Sequence, residues 1–202
     1  MFMALNTAQA HLRTGSWSRA LKVASFLLAS LLGGLVTEAA ERGPVREYQV
    51  KAVFLYNFAQ FVEWPAGAFE SHSSPLVIGI LGQDPFGAFL DQTIEGERAN
   101  GRPLVVTRFR NVGEVQQCHI LFVSGSEGGR AEQIAAALKG RSILTVCDWE
   151  GFARAGAMVR FMTERSRVRL RINLESAKAA GLNISSKLLR SAESVTLEKT
   201  SR

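Results

Sequence analysis

Residues 45–63, VREYQVKAVFLYNFAQFVE, repeat apolar side chains at helical spacing on two sides. Val45, Tyr48, Ala52, Leu55, Ala59 and Val62 share one face; Val50, Phe54, Phe58 and Phe61 share another. A surface helix needs one apolar stripe. Two stripes predict two neighbours, one of them a sheet and the other a loop, a second helix or a second subunit. Glu47 and Lys51 stand four apart as an ion pair beside the second stripe, and Trp64-Pro65 ends the helix. Beyond it the period changes. Leu76–Leu81 is a continuous apolar run, the signature of a strand covered on both faces. Phe86–Ile94 predicts a short helix, Gly96–Pro103 a polar turn-rich connection, and Leu104–Phe109 a second strand. His119–Val123 predicts a third strand, Arg130–Lys139 a helix stopped by Gly140, and Ser142–Val146 a fourth strand.

This alternation predicts an α/β sheet with helices on both faces. The last third differs. Ala157–Thr163 and Arg167–Asn173, joined by Glu164-Arg165-Ser166, predict an antiparallel hairpin. Helices follow at Leu174–Ala180 and Ser185–Ala192, and residues 193–202 read as a frayed, disordered tail.

The amino-terminal segment has another logic. Arg13, Arg19 and Lys22 precede an apolar run from Val23 to Val36, followed by Thr37-Glu38-Ala39-Ala40. A basic start, a short apolar middle and a small-residue exit predict a secretory signal peptide over residues 1–40, cut near Ala39 or Ala40. The run is about fourteen residues, short of the roughly 18–20 that span a bilayer. Periplasmic residence follows, with a single domain over residues 41–192. Reactions fed by cytoplasmic ATP or NADH are disfavoured there.

Charge and cysteines add limits. The formal charge is +6; removing the leader with Arg13, Arg19, Lys22 and Glu38 leaves about +4, mildly basic and compatible with an anionic partner. Cys118 opens one strand and Cys147 closes another, so parallel neighbours would hold them at opposite ends, as buried free thiols. The remaining histidines, His72 and His119, lack a nucleophile or metal partner at a useful spacing, and no G-x-S-x-G, H-E-x-x-H or P-loop pattern occurs. His119 and Cys118 would point to opposite faces of a strand. Neither catalysis, a cofactor, a metal nor nucleic-acid binding is expected.

Three surfaces remain as binding candidates. Arg165, Arg167, Arg169 and Arg171 alternate with Ser166, Val168, Leu170 and Ile172, so the guanidiniums share one strand face. That stripe suits an acidic partner or headgroups, or guards a sheet edge against unwanted pairing. The stripe Val50, Phe54, Phe58 and Phe61 packs within the domain, or forms a dimer or partner contact. The third candidate is the rim at the carboxyl ends of the strands, with Gly82, Gln83, Asp84, Ser124, Ser126, Gly128 and Gly129. Its glycine-rich loop before a helix is either ordinary turn chemistry or a site for a small anion or nucleotide.

The ordered set EYQVKAVFLYNFAQFVEWP, PLVIGILGQDPFG, NGRPLVVTRF, CHILFVSGSE, ILTVCDWEGFARAGAMVRFMTERSRVRLRIN and AKAAGLNISSKLLRSA resembles the YfiR-like family of periplasmic proteins over about residues 45–192. The resemblance implies a Rossmann-like three-layer α/β/α sandwich with a mixed sheet, often dimeric. It implies a regulator that binds the periplasmic domain of an inner-membrane diguanylate cyclase and holds it inactive, lowering cyclic di-GMP and biofilm formation. Some members carry two disulfides, which need four cysteines. This chain has two and keeps Leu76–Leu81 where the family can place a cysteine, so the pattern for redox control is incomplete.

Overall fold

The structure, a computed structural model, describes residues 44–165, 167–191 and 194–196. The expected leader, and all of the expected tail except residues 194–196, lie outside the described residues. Helix α1 (Pro44–Phe61) leads into the short β1 (Val62–Glu63). Strand β2 (Leu76–Leu81), helix α2 (Ala88–Ile94), the short β3 (Arg98–Ala99) and β4 (Arg102–Phe109) follow. Next come β5 (Ile120–Val123), α3 (Ala131–Leu138), β6 (Leu144–Cys147) and α4 (Glu150–Arg154). The hairpin β7 (Val159–Glu164) and β8 (Arg167–Asn173) precedes α5 (Leu174–Ala179), β9 (Asn183–Ile184), α6 (Ser186–Ser191) and β10 (Ser194–Thr196).

The main sheet has the order β10-β8-β7-β6-β5-β2-β4-β3, and β1 pairs separately with β9. Strands β4, β2, β5, β6 and β7 run parallel, and β8 turns back antiparallel to β7. The chain moves from β2 outward to β4, then crosses back past β2 to β5. The sheet is therefore mixed and doubly wound, as the alternation predicted.

Two apolar cores flank it. On one face Ala52, Leu55, Phe58 and Ala59 of α1, with Val62 of β1, pack with Ile78, Ile80, Ile120, Phe122 and Phe161. On the other, Ile134, Leu138 and Phe152 of α3 and α4 pack with Leu81, Leu121, Val123 and Cys147. The two stripes of α1 find their two neighbours inside the same chain. One meets the sheet, while α2 and α6 flank the helix.

Several elements were not anticipated. Within the connection 96–103, β3 and β4 pair across Asn100-Gly101, with φ values of 51° and 81°. Asn-Gly is the strongest short signal for a primed hairpin turn, so this element was legible. Helix α4, at five residues, is too short for periodicity to reveal. Strands β1 and β9 exist only because Val62 faces Ile184 across a separation no local rule reports. Strand β10, inside the expected tail, pairs parallel with Arg171–Asn173 of β8.

Both cysteines are buried and free, the outcome their strand positions favoured over a disulfide. Val123 is the register partner of Cys147, whereas Cys118 lies before β5 at its other end. Burial pushes both thiols up to about 12, which removes them as thiolate nucleophiles near neutral pH.

Gly79, central in β2, shows how tightly the second core closes. A Cβ there would lie 2.7 Å from Cys118 Sγ, 2.7 Å from the Phe109 ring and 2.9 Å from Leu121. Gly79→Ala is therefore expected to destabilise by about 1–3 kcal/mol, read as a lower urea midpoint with unchanged slope.

Candidate partner-binding surfaces

The carboxyl rim is knitted shut. The loops after β2 and β5 meet where strand order reverses, the usual ligand crevice of such sheets. Here Ser126 Oγ accepts a hydrogen bond from the Gln83 N–H at 2.9 Å, and Ser124 Oγ accepts one from the Ser126 N–H at 3.4 Å. The Glu127 N–H donates to the Ser124 carbonyl at 3.0 Å. A side chain at Gly82 would meet Ser126 Oγ at 2.5 Å and Glu127 at 2.8 Å. The carboxylate of Glu127 is buried against this loop and paired with Arg130 at 2.6 Å. The backbone donors that an anion would need are thus partly spent, and a negative group occupies the crevice. Gly128 and Gly129 lie exposed, outside it. Asp84 takes a capping role: Oδ1 accepts from the N–H groups of Phe86 (2.7 Å) and Gly87 (3.3 Å), and Oδ2 pairs with Arg108 at 2.8 Å.

Asp148, at the end of β6, organises the neighbouring stretch of rim. It accepts from Tyr48 Oη at 2.8 Å and pairs with Lys51 Nζ at 2.6 Å; Lys51 also meets Glu47 at 2.5 Å. Lys51 is only 2% exposed, its ammonium 4.3 Å from the centre of the Tyr48 ring. Burial, then the bond to Asp148, raises the Tyr48 phenol above its ordinary range, so it stays protonated. The pair Glu47–Lys51 was visible as an i,i+4 spacing. Its burial was not, because the third member lies 97 residues away.

Lys51 thereby holds the start of α1 to the sheet. Lys51→Met should leave two carboxylates facing each other and cost about 3 kcal/mol. Adding Asp148→Asn should recover much of it. Chemical denaturation of the single and double variants reads the difference, and equal stability of Lys51→Met and the native chain would remove the clamp.

His119 is a structural group. Its Nδ1 accepts from the Val77 N–H at 3.0 Å, which leaves Nε2–H to donate to the Ala68 carbonyl at 3.0 Å. The ring stacks on Phe69 with centroids 4.2 Å apart. Burial, with the nearby charge of Arg102, lowers its pKa from the ordinary histidine value, opposed by the bond to Ala68. As pH falls below about 6.5, the unfolded chain takes up this proton first. Stability is full above that value and declines below it. His119→Asn, which keeps an acceptor near the Val77 N–H, is expected to flatten the decline between about pH 7 and about pH 5, followed by urea midpoints. An identical pH slope in the variant would refute the assignment. His72 lies exposed in its loop.

From Arg167 on, the arginine stripe takes the predicted orientation. Val168, Leu170 and Ile172 point inward, the last two fully buried, while Arg167 and Arg171 are exposed and Arg169 is half-buried. Arg165 sits in the turn at φ 49°. Register adds a member that sequence alone did not supply. Arg160 of β7 lies opposite Arg171, and Met162 and Glu164 lie opposite Arg169 and Arg167. Two of the arginines are held in place: Arg160 by Glu150, and Arg169 by Glu164 at 3.5 Å. Because β10 flanks Arg171–Asn173, β8 is not a simple edge there. Guarding an edge does not account for the whole stripe. The outward face of β7–β8 is a basic surface that lies away from α1.

The aromatic stripe of α1 is mostly internal, so of the three uses open to it the structure shows packing within the domain, and the set as a whole is not an exposed contact patch. Phe58 is fully buried and stacks on Phe161 at 5.9 Å; Phe54 packs on both, at 6.3 and 5.9 Å. Phe61 is half-buried. Only Val50 of that set is exposed, at 45%, joined by Val53 at 45%. The spacing was right: Phe54 and Phe58 are taken up by Phe161 of β7 in the same main sheet, while α2 and α6 flank the helix.

Among the described residues no group of His, Cys, Asp or Glu could hold a metal ion, and no helix is long and apolar enough to cross a membrane. A family model described as YfiR/HmsC-like matches residues 48–193 of this chain. No curated protein matches it.

Proposed function

The chain belongs to the YfiR/HmsC-like family, and we propose that it is a periplasmic regulatory binding protein that restrains an inner-membrane diguanylate cyclase by holding that enzyme's periplasmic domain. The family is one of regulatory rather than catalytic proteins. The observation that carries the reading here is the basic face of the hairpin. Arg160, Arg167, Arg169 and Arg171 share one outward surface on a hairpin whose other face is packed under α1. Arginines pre-positioned by Glu150 and Glu164 lose less freedom on binding than mobile ones. Such a face fits an acidic partner surface.

The mechanism is occupancy. A protein that binds one conformation of a sensor more tightly than another shifts the sensor toward the first, by no more than the difference in affinity. Restraint of the cyclase would lower cyclic di-GMP and with it biofilm formation. This role needs no reacting group. It agrees with two thiols held up by burial, a neutral buried histidine and a phenol that stays protonated. A small-anion reading centred on Ser124–Gly129 has less support, since Glu127 fills that crevice.

The double reversal Arg167→Glu with Arg169→Glu is expected to weaken binding to the receptor's periplasmic domain by about 10- to 100-fold, with a reduced salt dependence. Calorimetry at two ionic strengths measures both. Unchanged affinity would remove the arginine face from the account, and recovery of the full uncleaved chain from cytosolic fractions would remove the periplasmic setting.

A further inference from the structure

Residues 64–75 join β1 to β2 with one short turn of 3-10 helix, Ala66–Ala68, and no other regular structure. None of them is buried, and the contacts that hold the segment to the body converge on His119, which directly precedes β5. The Nε2–H of His119 donates to the Ala68 carbonyl, its ring stacks 4.2 Å from that of Phe69, and its main-chain carbonyl accepts from the Trp64 indole at 3.2 Å. Arg102 of β4 closes the other side. Its guanidinium lies 3.7 Å from the Phe69 ring centre, so Phe69 is clasped between imidazole and guanidinium. Arg102 Nη1 also donates to the carbonyls of Ser71 at 2.7 Å and Ser74 at 2.9 Å. A cavity of about 270 Å³ remains between segment and body, walled by Trp64, Phe69, Leu76 and Ala99.

This seat accepts only a neutral imidazole. One ring nitrogen takes the Val77 N–H and the other gives its proton to Ala68, and a neutral ring has one acceptor and one donor to offer. A second proton would enter at Nδ1 and set two donors against each other. It would also place a second cation on Phe69, across the ring from Arg102. No carboxylate among the described residues pairs with the imidazole to offset this. Glu70 of the segment accepts from Gln117, and Glu63 of β1 accepts from Asn183. Arg141, ahead of β6, donates to the carbonyls of Val115 and Gln116. The Cys118 thiol lies in the core on the other face of the sheet, and His72 is exposed.

We propose that residues 64–75 form an acid-released flap: a second proton on His119 expels the ring from its seat, and the segment lifts away while the sheet beneath stays folded. The sheet survives because the main chain of His119 is held independently of its ring. Its N–H donates to the Val77 carbonyl at 3.0 Å, and its carbonyl accepts from the Leu144 N–H at 2.7 Å. Loss of the ring undoes the Ala68 bond and the Phe69 stack together and bares the wall of the cavity. An apolar surface covered at neutral pH is then presented in acid. Burial is the main force that holds the pKa of the seated ring below its ordinary value; the bond to Ala68 opposes this, and Arg102 adds to it. In the open form the ring is solvated and returns to about 6.5. The open population is therefore constant above that pH and grows by up to about tenfold for each unit below it.

Hydrogen exchange of the full chain, corrected for the intrinsic rate at each pH, reads the opening directly. The Ala68 and Ser74 amides bond within the segment, and the Val77 amide bonds to the imidazole itself. Their protection is expected to fall by about 10- to 30-fold from about pH 7.5 to about pH 5, while Leu121 and Phe122 of β5 keep theirs. In His119→Asn the step is expected to vanish; in His72→Asn, which alters the exposed histidine of the same segment, it is expected to persist. Equal protection of the segment at both pH values, a loss shared evenly with β5, or an undiminished step in His119→Asn would each overturn the proposal. Should His119→Asn fail to fold, His72→Asn decides, because disappearance of the step there would move the titration away from His119.

Discussion

Everything in this domain depends on how helix α1 is held against the sheet. It supplies most of one layer, since Ala52, Leu55, Phe58 and Ala59 are all fully buried. Burial on two sides is what makes the helix stable, because a single helix of this length has little independent stability in water. Its far end is stapled through β1 to β9, and its near end by Lys51 to Asp148. The lysine is unusual among these anchors. A buried ammonium is tolerated only when matched, and here two carboxylates and an aromatic face match it. One layer of the sandwich is therefore registered on the sheet by charge as well as by packing.

The same constraint explains where binding surfaces are left. With α1 covering one face of the hairpin and α3 and α4 covering the opposite face only over β2, β5 and β6, the outer face of β7–β8 remains for solvent. That face carries the arginines. The carboxyl rim, where open α/β sheets often hold a ligand, is occupied by its own loops and by the Tyr48–Asp148–Lys51 cluster. A fold shared with many nucleotide binders here has the usual ligand crevice filled from within. The exposed basic hairpin is the surface on which the association proposed above would draw.

Much of this was written in local pattern. The doubly apolar helix, the uninterrupted apolar run of β2, the alternation of arginine with Val168, Leu170 and Ile172, and the parallel placement of the two cysteines all follow from periodicities of 3.6 and 2. Those rules read which side a residue faces relative to its neighbours in the chain. The ordered motif set read the family correctly for the same reason: it preserves the elements in sequence.

Local pattern stops where contacts are made between distant residues. That Phe58 is spent on Phe161 and Val50 is not, that Glu127 closes the rim loop, and that Arg160 joins the stripe from another strand depended on strand order and register. The burial of Lys51 depended on Asp148, and the pairing of Val62 with Ile184 on a return of the chain after more than a hundred residues. The sequence by itself determined which segments are helix or strand and which of their faces are apolar, because those properties arise within a few residues. Only the tertiary structure decided which apolar faces meet, which charges are matched and which surfaces stay exposed, because each depends on a partner brought close in space by the whole fold.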